Sequence, residues 1–274
     1  MKKIMHIVIL YSNEDEVLDH IKDLKNQIVI NELQIVIVVN KKNKEKYKKF
    51  MKEINSLSLN IKVYDPNQNL GYLNGCIYGF EMYNKENENQ KFEWYSISNT
   101  DIEFRNNEFY KKLLEKSYKD DIWCVAPSVY NSKNLSYDNP EYKDRLSIHK
   151  INRLIFIYSY PMLAKIYEQL CKIKGNKLRN KKEESQYIYS AKGCYFILKK
   201  EIMDILSNKK YGALMYSEES YIAELIRNKD KKIYYESDIE IIHNESMVTD
   251  KLGIIKKSKY ISESLKLIKN EFYR

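Results

Sequence analysis

Runs of consecutive apolar residues alternate with amphipathic stretches over the first hundred residues, and this alternation constrains the fold more than any other feature of the chain. "IMHIVILY" (residues 4–11) and "LQIVIVVN" (33–40) are apolar nearly throughout, as strands covered on both faces must be. Between them, "NEDEVLDHIKDLKNQ" sets Val17, Leu18, Ile21 and Leu24 at helical spacing, with Ser12 or Asn13 suited to the N-cap. "KKNKEKYKKFMKEI" predicts a Lys-rich helix, "NIKVYD" a third strand, "NLGYLNGCIYGFEMYNK" a glycine-punctuated turn entering a helix, and "FEWYSIS" a fourth strand. Strands alternating with helices imply an α/β fold, in which a parallel sheet is joined by right-handed crossovers and ligands bind at the carboxyl ends of the strands.

The remainder reads less regularly. "NNEFYKKLLEKSYKD" predicts a helix and "IWCVAPSVY" a strand, while "INRLIFIYSYPMLAKIYEQL" predicts a helix broken at Pro161. "KIKGNKLRNKKEES" reads as a charged loop, expected to be mobile without ligand. "YIYSAKGCYFILKKEIMDIL" predicts strand then helix, "SEESYIAELIRNKDKKIYY" helix then strand, and "IIKKSKYISESLKLIKNEFY" a closing helix. At 274 residues, 43% hydrophobic and 31% charged, the chain has the composition of a soluble globular protein. The net charge of +9 favours anionic partners such as phosphates or an acidic membrane face. Nucleic acid is not expected, because lysines and acids are interleaved and no RNA-binding motif is present. Cys76, Cys124, Cys171 and Cys194 lack metal-binding spacing and read as buried free thiols, which suits a reducing, cytoplasmic compartment. The opening apolar run is short and meets acidic residues at once, so it reads as a strand rather than a signal peptide.

Three strands end on polar groups: Tyr11 and Ser12, Asn40, and Asn99 to Asp101. Asp101 taken singly is a turn former or helix cap. The convergence of the three ends also suits a divalent cation holding a diphosphate. Gly71, Gly75 and Gly79 match neither GxGxxG nor a P-loop. Gly75 and Gly79 read as sites of close helix packing, and Asn69 and Gly71 as shaping a pocket. Glu218 and Glu219 follow Ser217, where they either complement a helix dipole or supply a general base. His243 closes an apolar strand, either as a hydrogen-bonded structural residue or as a ligand to metal or phosphate.

Taken in order, "VILYSNED", "IVIVVN", "NLGYLNGCIYG", "SISNTDIEF", "AKGCYFILKKEIM", "YSEES" and "IIHNES" resemble the motif series of family-two glycosyltransferases of the GT-A fold, in particular the bacterial rhamnosyltransferase-like branch. The resemblance spans residues 4–130 and 190–246. It implies a Rossmann-like, mostly parallel central sheet flanked by helices, with a C-terminal helical region on the acceptor side. Residues 1–130 would form the donor-binding half and 131–274 the acceptor-binding and catalytic half. The implied activity is inverting transfer of a sugar from a nucleotide-diphospho-sugar to a hydroxyl of a growing surface glycan. By resemblance, Asp101 coordinates Mg²⁺ or Mn²⁺, His243 lies near the metal or diphosphate, and Asn99 faces the ribose or sugar. Tyr11, Ser12, Asn40, Asn69 and Gly71 would line the nucleotide pocket, and Glu219, with Glu218 beside it, would be the catalytic base. A lipid-linked acceptor and weak association with the inner membrane face are further implications. The segment "RLIFIYSYPMLAK" suits that surface, unless Ile155, Phe156 and Leu163 belong to the core. The chain departs from the pattern at Asn99, Asn40 and Tyr221, where many relatives carry aspartate, so a catalytically degenerate binding or scaffold subunit stands as the alternative. Acceptor choice should reside in residues 131–190, outside the resemblance.

Overall fold

A computed structural model describes residues 3–175, 181–245 and 253–273. Its strands are β1 (Ile4–Tyr11), β2 (Leu33–Lys41), β3 (Ile61–Tyr64), β4 (Trp94–Ser98), β5 (Ile102–Phe104), β6 (Ile122–Asn131), β7 (Ser136–Tyr137), β8 (Gln186–Ile188), β9 (Tyr195–Leu198) and β10 (Lys232–His243). The helices are α1 (Glu14–Lys25), α2 (Lys44–Ser56), α3 (Tyr72–Glu86), α4 (Phe109–Glu115), α5 (Ile148–Ser159), α6 (Pro161–Gly175), α7 (Lys200–Lys209), α8 (Glu218–Arg227) and α9 (Gly253–Phe272). One sheet runs in the order β3-β2-β1-β4-β9-β6-β10-β5, with β7 beside β6 and β8 beside β10. Strands β1 to β4, β6 and β10 point one way, and β9 enters antiparallel between β4 and β6.

Alternation along β1 divides the core into two layers. Met5 and Ile7 meet Cys76, Ile77 and Phe80 of α3 on one face, while Ile4, Val8 and Leu10 meet α1, α2 and α4 on the other. On α3, a Cβ added to Gly75 would lie 2.8 Å from Ile9 Cδ1, and one added to Gly79 2.7 Å from Val38 Cγ2. Both glycines therefore serve the close approach of α3 to the sheet, as their spacing predicts.

His6 interrupts the first apolar strand and is fully buried. Its Nδ1 lies 2.8 Å from Ser96 Oγ and 2.7 Å from Tyr110 OH, and its Nε2 lies 2.9 Å from His20 Nε2. His20 Nδ1 faces the Ile102 carbonyl at 2.8 Å and must carry the proton, so His20 Nε2 accepts from His6 Nε2. Both rings are then neutral, and burial pushes His20 down to about 4. The network fixes the start of β5, one residue after Asp101.

Several expectations are corrected. Asn13 stands at the N-cap of α1 but makes no side-chain cap bond, because its Oδ1 accepts from the Tyr11 N–H. The expected helix after Asn106 is only α4, seven residues long. The expected charged loop 172–185 begins inside α6, and its residues 176–180 lie outside the described residues. Lys182 and Ser185 at its far end bond Glu240 and Glu236 at 2.8 and 3.1 Å. Cys171, in α6, is exposed, unlike the three buried thiols. Of the three residues for which core packing is the alternative to a membrane-facing role, Phe156 and Leu163 are exposed and Ile155 is partly buried against Leu146, Ile151 and Leu154.

Candidate active site

Because β2, β1 and β4 are neighbours, their polar ends meet along one rim. Tyr11 is exposed there, with Lys41 Nζ 5.4 Å above its ring. Ser12 takes φ 55°, costly for a residue with a Cβ, and donates its N–H to the Lys41 carbonyl at 2.8 Å. Asn13 Nδ2 donates to Thr100 Oγ1 at 2.8 Å, tying the β4–β5 turn to α1. Asn99 donates its N–H to the Cys194 carbonyl at 2.9 Å, and Asp101 accepts at its carbonyl from Asn244 N–H at 2.9 Å. The triplet Asn99–Thr100–Asp101 is thus pinned from three sides. It marks where the chain leaves the sheet's centre and crosses to its edge, with β5 pairing antiparallel to β10.

Asn40 is buried, and its amide is engaged by the next loop, donating to Gly71 O at 2.7 Å and accepting from Leu70 N–H at 3.4 Å. Asn69 is exposed and accepts from Gly71 N–H at 3.0 Å. Gly71 has φ 77°, and a Cβ there would lie 2.1 Å from the Leu214 carbonyl oxygen, so only glycine fits. These three residues form a wall whose shape is set by backbone bonds, with Asn40 acting through the loop it holds.

His243, at the end of β10, places Nε2 3.5 Å from Asp101 Oδ1. Its ring is buried, and Nδ1 has no hydrogen-bond partner among the described residues. Asp138 and Glu245 each offer an oxygen within 4.8 Å of one another and of a His243 ring nitrogen. Asn131, fully buried, donates Nδ2 to both carboxylates at 2.9 and 2.8 Å. Buried imidazole with carboxylates on either side is a donor set that fits a divalent cation. Of this group the sequence reading singles out only His243; it also names Asp101, which lies beside His243, and does not name Asp138, Glu245 or Asn131. The serine of "IIHNES" lies outside the described residues.

Beside Gly193 stands the start of α8. Tyr216 and Ser217 both take positive φ, 70° and 61°, to swing the helix into place. The Ser217 hydroxyl bonds Ser264 Oγ at 2.9 Å instead of capping the helix. Glu218 is buried, and its charge is felt at Tyr72 and Cys76 of α3. Glu219 is half-buried and turns to the lead-in of β9, where a Cβ on Gly193 would lie 3.3 Å from its Oε2. Burial, then Glu219, pushes Glu218 up to about 8, and burial, then Glu141, pushes Glu219 up to about 7. Tyr221 is core: it is buried, and its hydroxyl bonds the Lys210 carbonyl at 3.0 Å. Lys192 and Tyr72 were also hidden in the sequence. Lys192 Nζ sits 3.2 Å from Glu141 Oε2, and the Glu141 carboxylate, with Asp138 nearby, holds its ammonium charged. Tyr72 carries a buried hydroxyl without a hydrogen bond among the described residues, in the field of Glu218 and Asp101.

Solved structures with the same architecture decide the fold. A mannosyltransferase from Pyrobaculum calidifontis, solved with GDP-Man and Mn²⁺, aligns over 90% of this chain and 58% of its own, with TM-score 0.57 and 10% identity. The chain has the GT-A fold. S. aureus TarS residues 1–349 align over 88% of this chain and 60% of that one (TM-score 0.55, 12% identity). GalNAc-T7 with UDP, GalNAc and Mn²⁺ aligns over 99% and 55% (TM-score 0.59, 13% identity). The chain therefore spans about three-fifths or less of each GT-A structure. No protein-family model matches the sequence, and no curated protein matches it. On this fold Asp101 lies between β4 and β5 and His243 closes β10, while Glu219 stands in the first turn of α8, beside Gly193.

Proposed function

We propose that the chain is an inverting glycosyltransferase of the hexosyltransferase class, using a nucleotide-diphospho-sugar. The observation that carries this reading is the meeting of Asp101 and His243, 3.5 Å apart, with the Glu219 carboxylate beside Gly193 on a GT-A sheet. The acceptor hydroxyl oxygen forms the new bond to the anomeric carbon. The bond from that carbon to the diphosphate breaks, and its electron pair leaves with the diphosphate. Glu219 takes the hydroxyl proton. Its folded-state value of about 7 leaves an ionised fraction ready at neutral pH while keeping enough basicity to accept the proton. Glu218 turns into α3 and keeps the first turn of α8 in place. A divalent cation, Mg²⁺ or Mn²⁺, held by Asp101 and His243 would offset charge gathering on the leaving diphosphate. Tyr11, Ser12, Asn69 and Gly71 line the nucleotide, Asn40 shapes that wall, and Asn99 faces the ribose or sugar.

Residues 1–130 form the donor half and 131–274 the acceptor half in this reading. The acceptor is a growing bacterial surface glycan, free or lipid-linked, met at the cytoplasmic membrane face. Support for the membrane comes from α6, whose outward stripe carries Met162, Leu163, Ile166 and Leu170, all exposed, with Lys165 at its edge. No helix among the described residues is long and apolar enough to cross a membrane, so attachment would be peripheral.

A screen of sugar nucleotides for protection against thermal unfolding, with and without Mn²⁺, tests the assignment. At least one should raise the melting temperature, more so with Mn²⁺, and should release its nucleoside diphosphate when acceptor is present. Protection without turnover would leave a scaffold subunit. Protection by none would remove the transferase reading.

A further inference from the structure

Beside this site, Tyr137 and residues 139–147, with Lys150, Lys181 and Glu183, line a cavity of about 540 Å³ that the donor reading does not use. Its volume falls within the roughly 300–1,000 Å³ range of small-molecule sites. The wall is preformed. Tyr142 exchanges backbone bonds with Ser190, accepting at 3.1 Å and donating at 3.4 Å. Arg145 is clamped by the fully buried Glu224, with Nε donating to Oε1 at 2.6 Å and Nη2 to Oε2 at 3.1 Å. Tyr189 OH and Arg227 Nε also donate to Glu224, at 2.8 and 2.9 Å. This buried carboxylate anchors the cavity wall to α8, the helix that begins with Glu218 and Glu219.

The cavity borders the catalytic side at Glu141 and at Asn139, whose Oδ1 accepts from Lys192 N–H at 2.8 Å. Glu141 lines it and pairs with Lys192 at 3.2 Å. Lys192 precedes Gly193, over which the Glu219 carboxylate lies, and the Glu141 charge helps push Glu219 up. A molecule in the cavity would therefore border the proton acceptor.

The lining states which chemistry suits it. Of its four cations, three are committed: Lys143 to Glu183 at 2.9 Å, Arg145 to Glu224, and Lys150 to the face of Tyr142 at 5.1 Å. Little positive charge is left to select a phosphate or carboxylate. The rest of the lining includes the Tyr137 and Tyr142 phenols, the Asp144 carboxylate and the Lys181 ammonium, a mix of hydrogen-bond donors and acceptors that suits a hydroxyl-rich ligand. We propose that this cavity is the acceptor subsite and takes an uncharged saccharide, its reacting hydroxyl on the Glu141 side. The proposal rests on the transferase reading for the word acceptor, but the saccharide site itself does not.

The test is a glycan array of neutral and acidic oligosaccharides, probed with the full chain and with Asp144→Trp and Tyr137→Ala. Asp144 is exposed on the cavity wall, so tryptophan there fills space, while Tyr137→Ala opens the wall from another side. Melting curves and sugar-nucleotide protection report whether each variant keeps its fold and donor site. The expected result is binding of neutral glycans by the unaltered chain, weakened at least tenfold in either folded variant with donor protection unchanged. Glycan binding unchanged in both variants, binding of acidic glycans alone, or no glycan binding by the unaltered chain would each overturn the proposal. Saccharide binding lost in the variants, from a chain that no sugar nucleotide protects, would support the cavity assignment while removing the transferase reading.

Discussion

The rim formed by β1, β2 and β4 and the outer surface of α5 and α6 are both exposed, yet they present opposite chemistry. At the rim, polar side chains stand at the ends of strands whose interiors are wholly apolar or internally bonded. On α6, Met162 is 81% exposed and Leu170 60% exposed, although Ala164 on the inner face is fully buried. The contrast follows from how each region is held. A parallel strand uses both faces for the core, so its chemistry is confined to its end. A helix packed along one stripe leaves the other free, and here that free stripe is apolar, with Lys165 at its edge and Glu168 answered by Lys257 at 2.9 Å. In the proposed reading the rim receives a small polar molecule and the helical face meets something larger and apolar.

Asp101→Ala breaks the rim most severely. The carboxylate has no apolar role, so the melting temperature without ligand should change little. The extra protection that Mn²⁺ gives a sugar nucleotide should vanish entirely. Retained Mn²⁺ dependence would move the cation seat to Asp138 and Glu245.

Next in size is an effect of pH on stability. Glu218 and Glu219 have folded values of about 8 and about 7, above their ordinary range. Between about pH 4.5 and those values the folded chain holds protons that the unfolded chain has released, so stability falls as pH rises through this window. Glu218→Gln should therefore stabilise the chain at pH 8 by about 1–3 kcal/mol and give almost no gain at pH 4. Urea titrations at the two pH values check this, and an equal gain at both would show that the carboxylate is not held against its charge.

The smallest effect belongs to α6. Met162→Glu with Ile166→Glu should reduce flotation with anionic vesicles a few-fold at low salt, leaving donor protection untouched. Equal flotation of both proteins, or no preference for anionic over neutral vesicles, would assign the stripe to another partner.

How much of this was legible depended on distance along the chain. The parallel strands announce themselves because burial on both faces demands an unbroken apolar run. Gly75 and Gly79 were readable because helical spacing alone puts them on one side. His6 was not, since its partners Ser96 and Tyr110 lie 90 and 104 residues away. Nor was β5, a three-residue strand whose partner β10 comes far later in the chain. Asp138, Lys192 and Glu245 each look like ordinary surface charges until the sheet order brings β6, β9 and β10 together. The exposed stripe of α6 was ambiguous for the opposite reason: an apolar helical face reads as core unless the packing shows which side is turned inward.

One comparison bears most directly on the rim as a catalytic site: the transfer rates of Glu219→Gln and Glu218→Gln at saturating donor. The glutamine side chain keeps shape and donor contacts but cannot take the acceptor's proton. Glu219→Gln should lower the rate by at least about a hundredfold with donor affinity intact. Glu218→Gln should lower it only a few-fold, because that side chain faces Tyr72 and Cys76. Reversed rates with donor affinity intact would make Glu218 the base, and unchanged rates in both would place the chemistry elsewhere in the molecule.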